Sequence, residues 1–205
     1  LAMELKIPGG CGQPWKTVSA NLGEAHITGA NISVDDAASE NWVLGFNFEK
    51  MEAETDSEHE ILDVYIESGW RLPLTPDYKG AAWAEYRQST SLLGANDFFV
   101  RLQWSFTGDS VSRLEESLSP IDSPTPQFVN PSYNIGDIRA GLVGDDWQVD
   151  LFINNLTDER AIYTYGTGQY LWGAGQLAEG RPHHQDAYVN RPREFGVRYT
   201  KRWGG

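Results

Sequence analysis

The chain of 205 residues carries 16 Lys and Arg against 29 Asp and Glu, a formal net charge of −13, with one Cys and four His. An acidic chain does not suit a nucleic-acid polyanion, and a single cysteine makes neither an internal disulfide nor a thiolate zinc site. Mean hydropathy is −0.46 and no run approaches the roughly 18 apolar residues of a membrane helix, which excludes helical membrane proteins but not β-barrels.

Period-two alternation runs through the chain and predicts strands. Leu1, Met3, Leu5 and Ile7 form the tail of one. In 24–36, Ala30, Ile32 and Val34 share a face; Trp42, Leu44, Phe46 and Phe48 follow. In 77–88 the repeating positions are Tyr78, Ala82, Ala84 and Tyr86. Phe98, Val100, Leu102, Trp104 and Phe106 then alternate with Phe99, Arg101, Gln103, Ser105 and Thr107. Ile138, Ala140 and Leu142 mark 133–143, and Trp147, Val149, Leu151 and Ile153 mark 147–154. The last strand, 194–203, sets Phe195, Val197, Tyr199 and Trp203 on one face, with Lys201 a charged exception. This reading gives seven strands and the end of an eighth.

Several of these strands run about 10 residues, the length that spans a bilayer when tilted, whereas soluble strands average about 5–6. The connections alternate as well: short near 37–40, 90–95 and 144–145, long at 55–74, 108–131 and 157–192. Outer-membrane barrels have short periplasmic turns and longer extracellular loops. The last strand therefore runs inward and ends near Trp203.

Several ordered motifs carry a family resemblance. Asn154-Asn155-Leu156-Thr157-Asp158-Glu159-Arg160 closes one strand, and Arg191-Pro192-Arg193-Glu194-Phe195-Gly196-Val197-Arg198-Tyr199 opens the next. Upstream stand Arg71-Leu72-Pro73-Leu74-Thr75-Pro76, Ser105-Phe106-Thr107-Gly108-Asp109-Ser110, and Asn21-Leu22-Gly23-Glu24-Ala25 before Gly29. Together they resemble the C-terminal barrel region of a TonB-dependent outer-membrane receptor. Two departures are Asn31 where the family commonly has Glu, and Gly204-Gly205 after the terminal aromatic Trp203.

The resemblance implies an all-β, antiparallel transmembrane barrel segment. A barrel of about 22 strands needs some 220 residues in strands alone, so residues 1–205 are expected to supply about its last seven to eight strands, as an open curved sheet. The plug domain and earlier strands would lie elsewhere. The implied function is binding of a scarce extracellular solute (siderophore, vitamin or oligosaccharide) and its import at the cell outer membrane with TonB-coupled energy. The implied partners are outer-membrane lipid, the TonB complex through the plug, the barrel-assembly machinery and a small-molecule ligand. The alternative is a complete eight-stranded barrel serving as anchor or adhesin.

On that frame Trp42, Phe46, Trp104, Trp147, Phe195, Val197 and Tyr199 are expected to face lipid, and Arg87, Arg101, Asp137, Arg139, Asp150 and Arg198 the lumen. The lumen charges read as a solute path or, more plainly, as a cross-strand ion-pair network. Tyr163, Tyr165, Tyr170 and Trp172, with His183 and His184, crowd the last long loop as candidate solute contacts; the alternative is packing of that loop onto the barrel rim. Trp203 is the expected assembly signal. Cys11 has no partner, neighbouring carboxylates such as Asp35-Asp36 point to opposite faces of a strand, and no nucleophile elbow or phosphate loop is present. No enzyme, cofactor or metal is expected.

Overall fold

The structure, a computed structural model, describes residues 2–8, 15–21, 23–61, 64–112, 114, 127–167 and 185–203. Cys11, Tyr170, Trp172, His183 and His184 lie outside the described residues. Among the described residues fifteen strands follow in chain order: β1 (Ala2–Pro8), β2 (Trp15–Asn21), β3 (Ala25–Asp36), β4 (Trp42–Thr55), β5 (His59–Ile61), β6 (Val64–Ile66), β7 (Tyr78–Ser89) and β8 (Asp97–Thr107). Then come β9 (Ser110–Val111), β10 (Val129–Asn130), β11 (Tyr133–Val143), β12 (Trp147–Asn154), β13 (Ile162–Thr167), β14 (Gln185–Val189) and β15 (Glu194–Lys201).

Seven of them make one antiparallel sheet in the order β15-β12-β11-β8-β7-β4-β3, so β3 and β15 stand at opposite edges and do not pair. β1 and β2 form a separate hairpin; β2 was not visible as a strand in the sequence pattern. The sheet is nearly a meander, each strand hydrogen-bonded to its neighbour in sequence apart from the short strands of the long connections. Those connections are not bare loops: they fold into three small pairs, β5 with β6, β9 with β10, and β13 with β14.

Residues directly opposite in an antiparallel ladder share a face, so the register sorts the side chains. One row runs Leu44, Ala84, Leu102, Ile138, Ile153, Phe195; the next runs Trp42, Tyr86, Val100, Ala140, Leu151, Val197. Phe46, Trp104, Trp147 and Tyr199 belong to this same apolar face. It is open: Trp42 is 45% exposed, Leu151 58% and Phe195 84%. Lys201, the charged exception, sits opposite Trp147 and is paired with Asp146 in the turn before β12.

The reverse face is polar. Its rows run Val43, Glu85, Arg101, Arg139, Phe152, Gly196 and, one step along, Arg87, Phe99, Gly141, Asp150, Arg198. Burial is therefore inverted relative to a soluble sandwich. Phe99 and Asp150 on the polar face are buried, as are Ile66, Val111, Leu114 and Ala161 where the long connections pack together.

Large side chains fit on adjacent strands because glycine stands opposite them. Trp83 lies over Gly45, Phe106 over Gly80, Trp104 over Gly136, Phe99 over Gly141 and Phe152 over Gly196, each pair directly opposed in register. A Cβ at Gly136 would lie 2.5 Å from Trp104 Cε3. The rings fill the space that the missing side chains leave and fix which residue faces which.

Candidate functional site

Two regions carry the residues singled out from the sequence: the polar face and the end of the sheet where the long connections leave. Arg87, Arg101, Asp137, Arg139, Asp150 and Arg198 all fall on the polar face. The expected ion-pair network is sparse there. Glu85 serves two arginines, at 3.1 Å from Arg87 and 3.5 Å from Arg101. Nearer the long connections, Lys79 pairs with Glu49 at 3.1 Å.

The two acidic candidates are engaged with neutral donors. Asp137 Oδ1 accepts the Asn155 backbone N–H at 2.8 Å, and Asp150 Oδ1 accepts from Gln148 Nε2 at 2.7 Å. Among the described residues, neither Arg139 nor Arg198 has a carboxylate within ion-pair distance.

At the long-connection end, the Asn154–Arg160 motif becomes a physical object. Asn155, with φ of 54°, is buried, in the left-handed region that Asn tolerates better than most residues. Its Nδ2 donates to the carbonyls of Glu159 (2.9 Å) and Arg191 (3.1 Å), while Oδ1 accepts the Glu159 N–H at 2.9 Å. Asp158 Oδ1 accepts the Arg193 N–H, and Asn190 bridges Ala161 and Glu159. One amide thus ties the end of β12 to the segment leading into β15, across the longest connection. The sequence marked this motif as a strand exit; its clamping role needed the structure.

Arg71 does the same for the other two connections. Its guanidinium reaches Asp109 at 3.0 Å and Asp77 at 2.8 Å and also donates to the Asp109 carbonyl. Burial alone would lower its pKa, but the hydrogen bond and charge of Asp109, with Asp77, outweigh that and raise it. In the sequence Arg71 and Asp109 stand in two separate motifs, and two charges on separate loops carry no sign that they meet.

Of the described aromatic candidates, Tyr163 is 46% exposed, and both tyrosines meet a second ring. Tyr163 meets Tyr133 edge-on at 5.6 Å, and Tyr165 meets Phe128 at 5.5 Å while its N–H reaches Asn130. Burial, with the charge of Tyr133 added, raises the Tyr163 pKa. Asn130 is itself buried against Ser110 Oγ at 3.0 Å. These contacts anchor the base of the last long connection. Trp203 lies past β15, 85% exposed, with Lys201 Nζ 5.8 Å from its ring.

A sheet with one exposed apolar face, one polar face and long connections at one end has the build of a β-barrel wall. The chain belongs to the TonB dependent receptor-like, beta-barrel family, whose profile matches residues 5–156, a family of outer-membrane transport receptors. Its fold is similar to that of the ferric yersiniabactin uptake receptor FyuA from Yersinia pestis, at 17% identity and TM-score 0.63, over 90% of this chain and 24% of that one. It is also similar to the siderophore receptor PiuA from Acinetobacter baumannii, at 17% identity and TM-score 0.57, over 89% and 22%. The chain thus spans about a quarter of the length of these receptors. Among curated proteins compared by sequence, none matches.

Proposed function

We propose that residues 1–205 form the C-terminal wall of a TonB-dependent receptor that captures a scarce extracellular solute and imports it with energy delivered through TonB. The observation that carries this is the open apolar face, continuous across all seven strands of a family barrel sheet. An apolar surface of that extent is covered in a working protein, and lipid is the cover that suits a barrel. Trp42, Phe46, Trp104, Trp147, Phe195, Val197 and Tyr199 then face lipid, and the opposite side faces the lumen. In this reading Tyr163, Tyr165, Tyr170, Trp172, His183 and His184 contribute contacts to the solute, and Trp203 is offered to the assembly machinery. The plug and the TonB contact belong to the rest of the receptor.

Cysteine accessibility tests the orientation. In the full-length receptor carrying Cys11→Ser, a membrane-impermeant maleimide should label Gln103→Cys and spare its neighbour Leu102→Cys. Equal labelling of the two positions overturns the assignment of faces.

A further inference from the structure

Loops are ordinarily the looser part of a fold, yet burial among the described residues is concentrated at the roots of the three long connections. Five polar or charged residues are buried there or on the sheet, and four of them, Thr55, Ser110, Asn130 and Asn155, stand in that layer of roots; the fifth, Asp150, lies on the sheet. Ile66, Val111, Leu114 and Ala161 are buried in the same layer.

Each connection is closed by a buried side chain. In the connection from β4 to β7, Thr55 Oγ1 accepts the Trp70 N–H at 3.0 Å and donates its own proton to the Glu67 carbonyl. Between β8 and β11, Asn130 Nδ2 donates to Ser110 Oγ at 3.0 Å and so joins β10 to β9. Asn155 closes the connection from β12 to β15.

Two further links run from one connection to the next. Between the first and second, the Arg71 guanidinium holds Asp109, and the Leu74 N–H donates to the Val111 carbonyl at 2.8 Å. Between the second and third, Asn130 Oδ1 accepts the Tyr165 N–H at 3.3 Å, while the Phe128 ring meets that of Tyr165. Asn130 is therefore closure and link at once. It is 2% exposed, so breaking either bond strands a polar group away from water.

We infer that these roots form one cooperative collar at the end of the sheet, with Arg71 and Asn130 as its couplers, so that loosening or ordering one connection is transmitted to the other two. Segments of a cooperative unit open together in hydrogen exchange, whereas segments held by separate contacts open separately. The collar describes how the connections behave whatever solute they meet, and it stands or falls independently of the reading of the chain as part of an importer.

Hydrogen exchange of the full-length receptor in detergent, followed by mass spectrometry, tests the coupling. Each variant is read where the replaced residue makes no contact. Asn130→Ala should speed exchange in 66–77 about fivefold, and Arg71→Gln should do the same in 161–167, the size expected for one net hydrogen bond. Peptides of β7 and β8 should keep wild-type rates in both variants, which separates opening of the collar from unfolding of the sheet. Arg71 is partly exposed, so its arm of the test decides the matter even where Asn130→Ala fails to assemble. Faster exchange confined to the connections that each replaced residue touches, or spread equally over β7 and β8, overturns the collar.

Discussion

Replacing Asn155 separates backbone conformation from side-chain bonding at the β12 exit. Three side-chain hydrogen bonds leave this residue, at 2.9, 3.1 and 2.9 Å, from a site only 4% exposed. Asn155→Gly keeps the φ of 54° available but removes all three. At about 1 kcal/mol net per bond, the loss is about 3 kcal/mol. Asn155→Ala adds the cost of an L side chain in the left-handed region, about 1 kcal/mol more. Asn155→Asp keeps the acceptor for the Glu159 N–H but sets a carboxylate against the carbonyls of Glu159 and Arg191, so it should be no milder than glycine. Urea unfolding of the full-length receptor in lipid vesicles, followed by tryptophan fluorescence, gives the order: wild type, then Gly, then Ala. Gly and Ala variants as stable as wild type would refute the clamp.

Gly45→Ala drives a methyl group into the Trp83 indole and should cost about 1–3 kcal/mol; Gly45→Ala with Trp83→Ala should lose less than the sum of the single changes, measured by the same unfolding assay. Arg71→Gln releases Asp77 and Asp109 together and should cost about 1 kcal/mol, while limited proteolysis cuts the 56–77 connection faster than in wild type. Tyr163 is held protonated to higher pH than an ordinary tyrosine, so the unfolded chain ionises first as pH rises. Its contribution is complete below the ordinary value of 10.0 and is lost as pH climbs through the folded one. Unfolding midpoints across that range should fall less steeply in Tyr163→Phe than in wild type.

The strands of the sheet were legible because alternation is a local property: Trp147, Val149, Leu151 and Ile153 announce a face whatever they touch. The partition of Arg101 from Leu102 follows from the same rule and needs no partner to be known. What a ladder partner does was not legible. Gly141 opposite Phe99, or Arg139 opposite Arg101, depends on the register between strands about 40 residues apart, and the alternation pattern fits any register shifted by two. The charges of the polar face were expected to form ion pairs; sequence cannot show that the Asn155 N–H reaches Asp137. Of the small strands within the long connections, β5, β6, β9 and β10 were not legible because two or three residues are too few to display a period.

The apolar face and the sheet edges make opposite demands, and together they set what the isolated chain should do. Burying Leu102, Trp104 and their row in hydrocarbon is favourable, but the same medium offers no water to the unpaired N–H and C=O groups of β3 and β15. About half of the backbone groups on each edge strand point outward, and each costs several kcal/mol when left unbonded in lipid. Seven strands do not cancel that cost unless the edges find partners, and a barrel in this family supplies them from its other strands. The 205-residue chain refolded alone into detergent is therefore expected to show strand content by circular dichroism without the heat-modifiable migration on gels that marks a closed barrel. A sharp heat-modifiable monomer from this chain alone would mean that β3 and β15, directly or through the β1–β2 hairpin, close on one another, and the rival small barrel would replace the receptor wall.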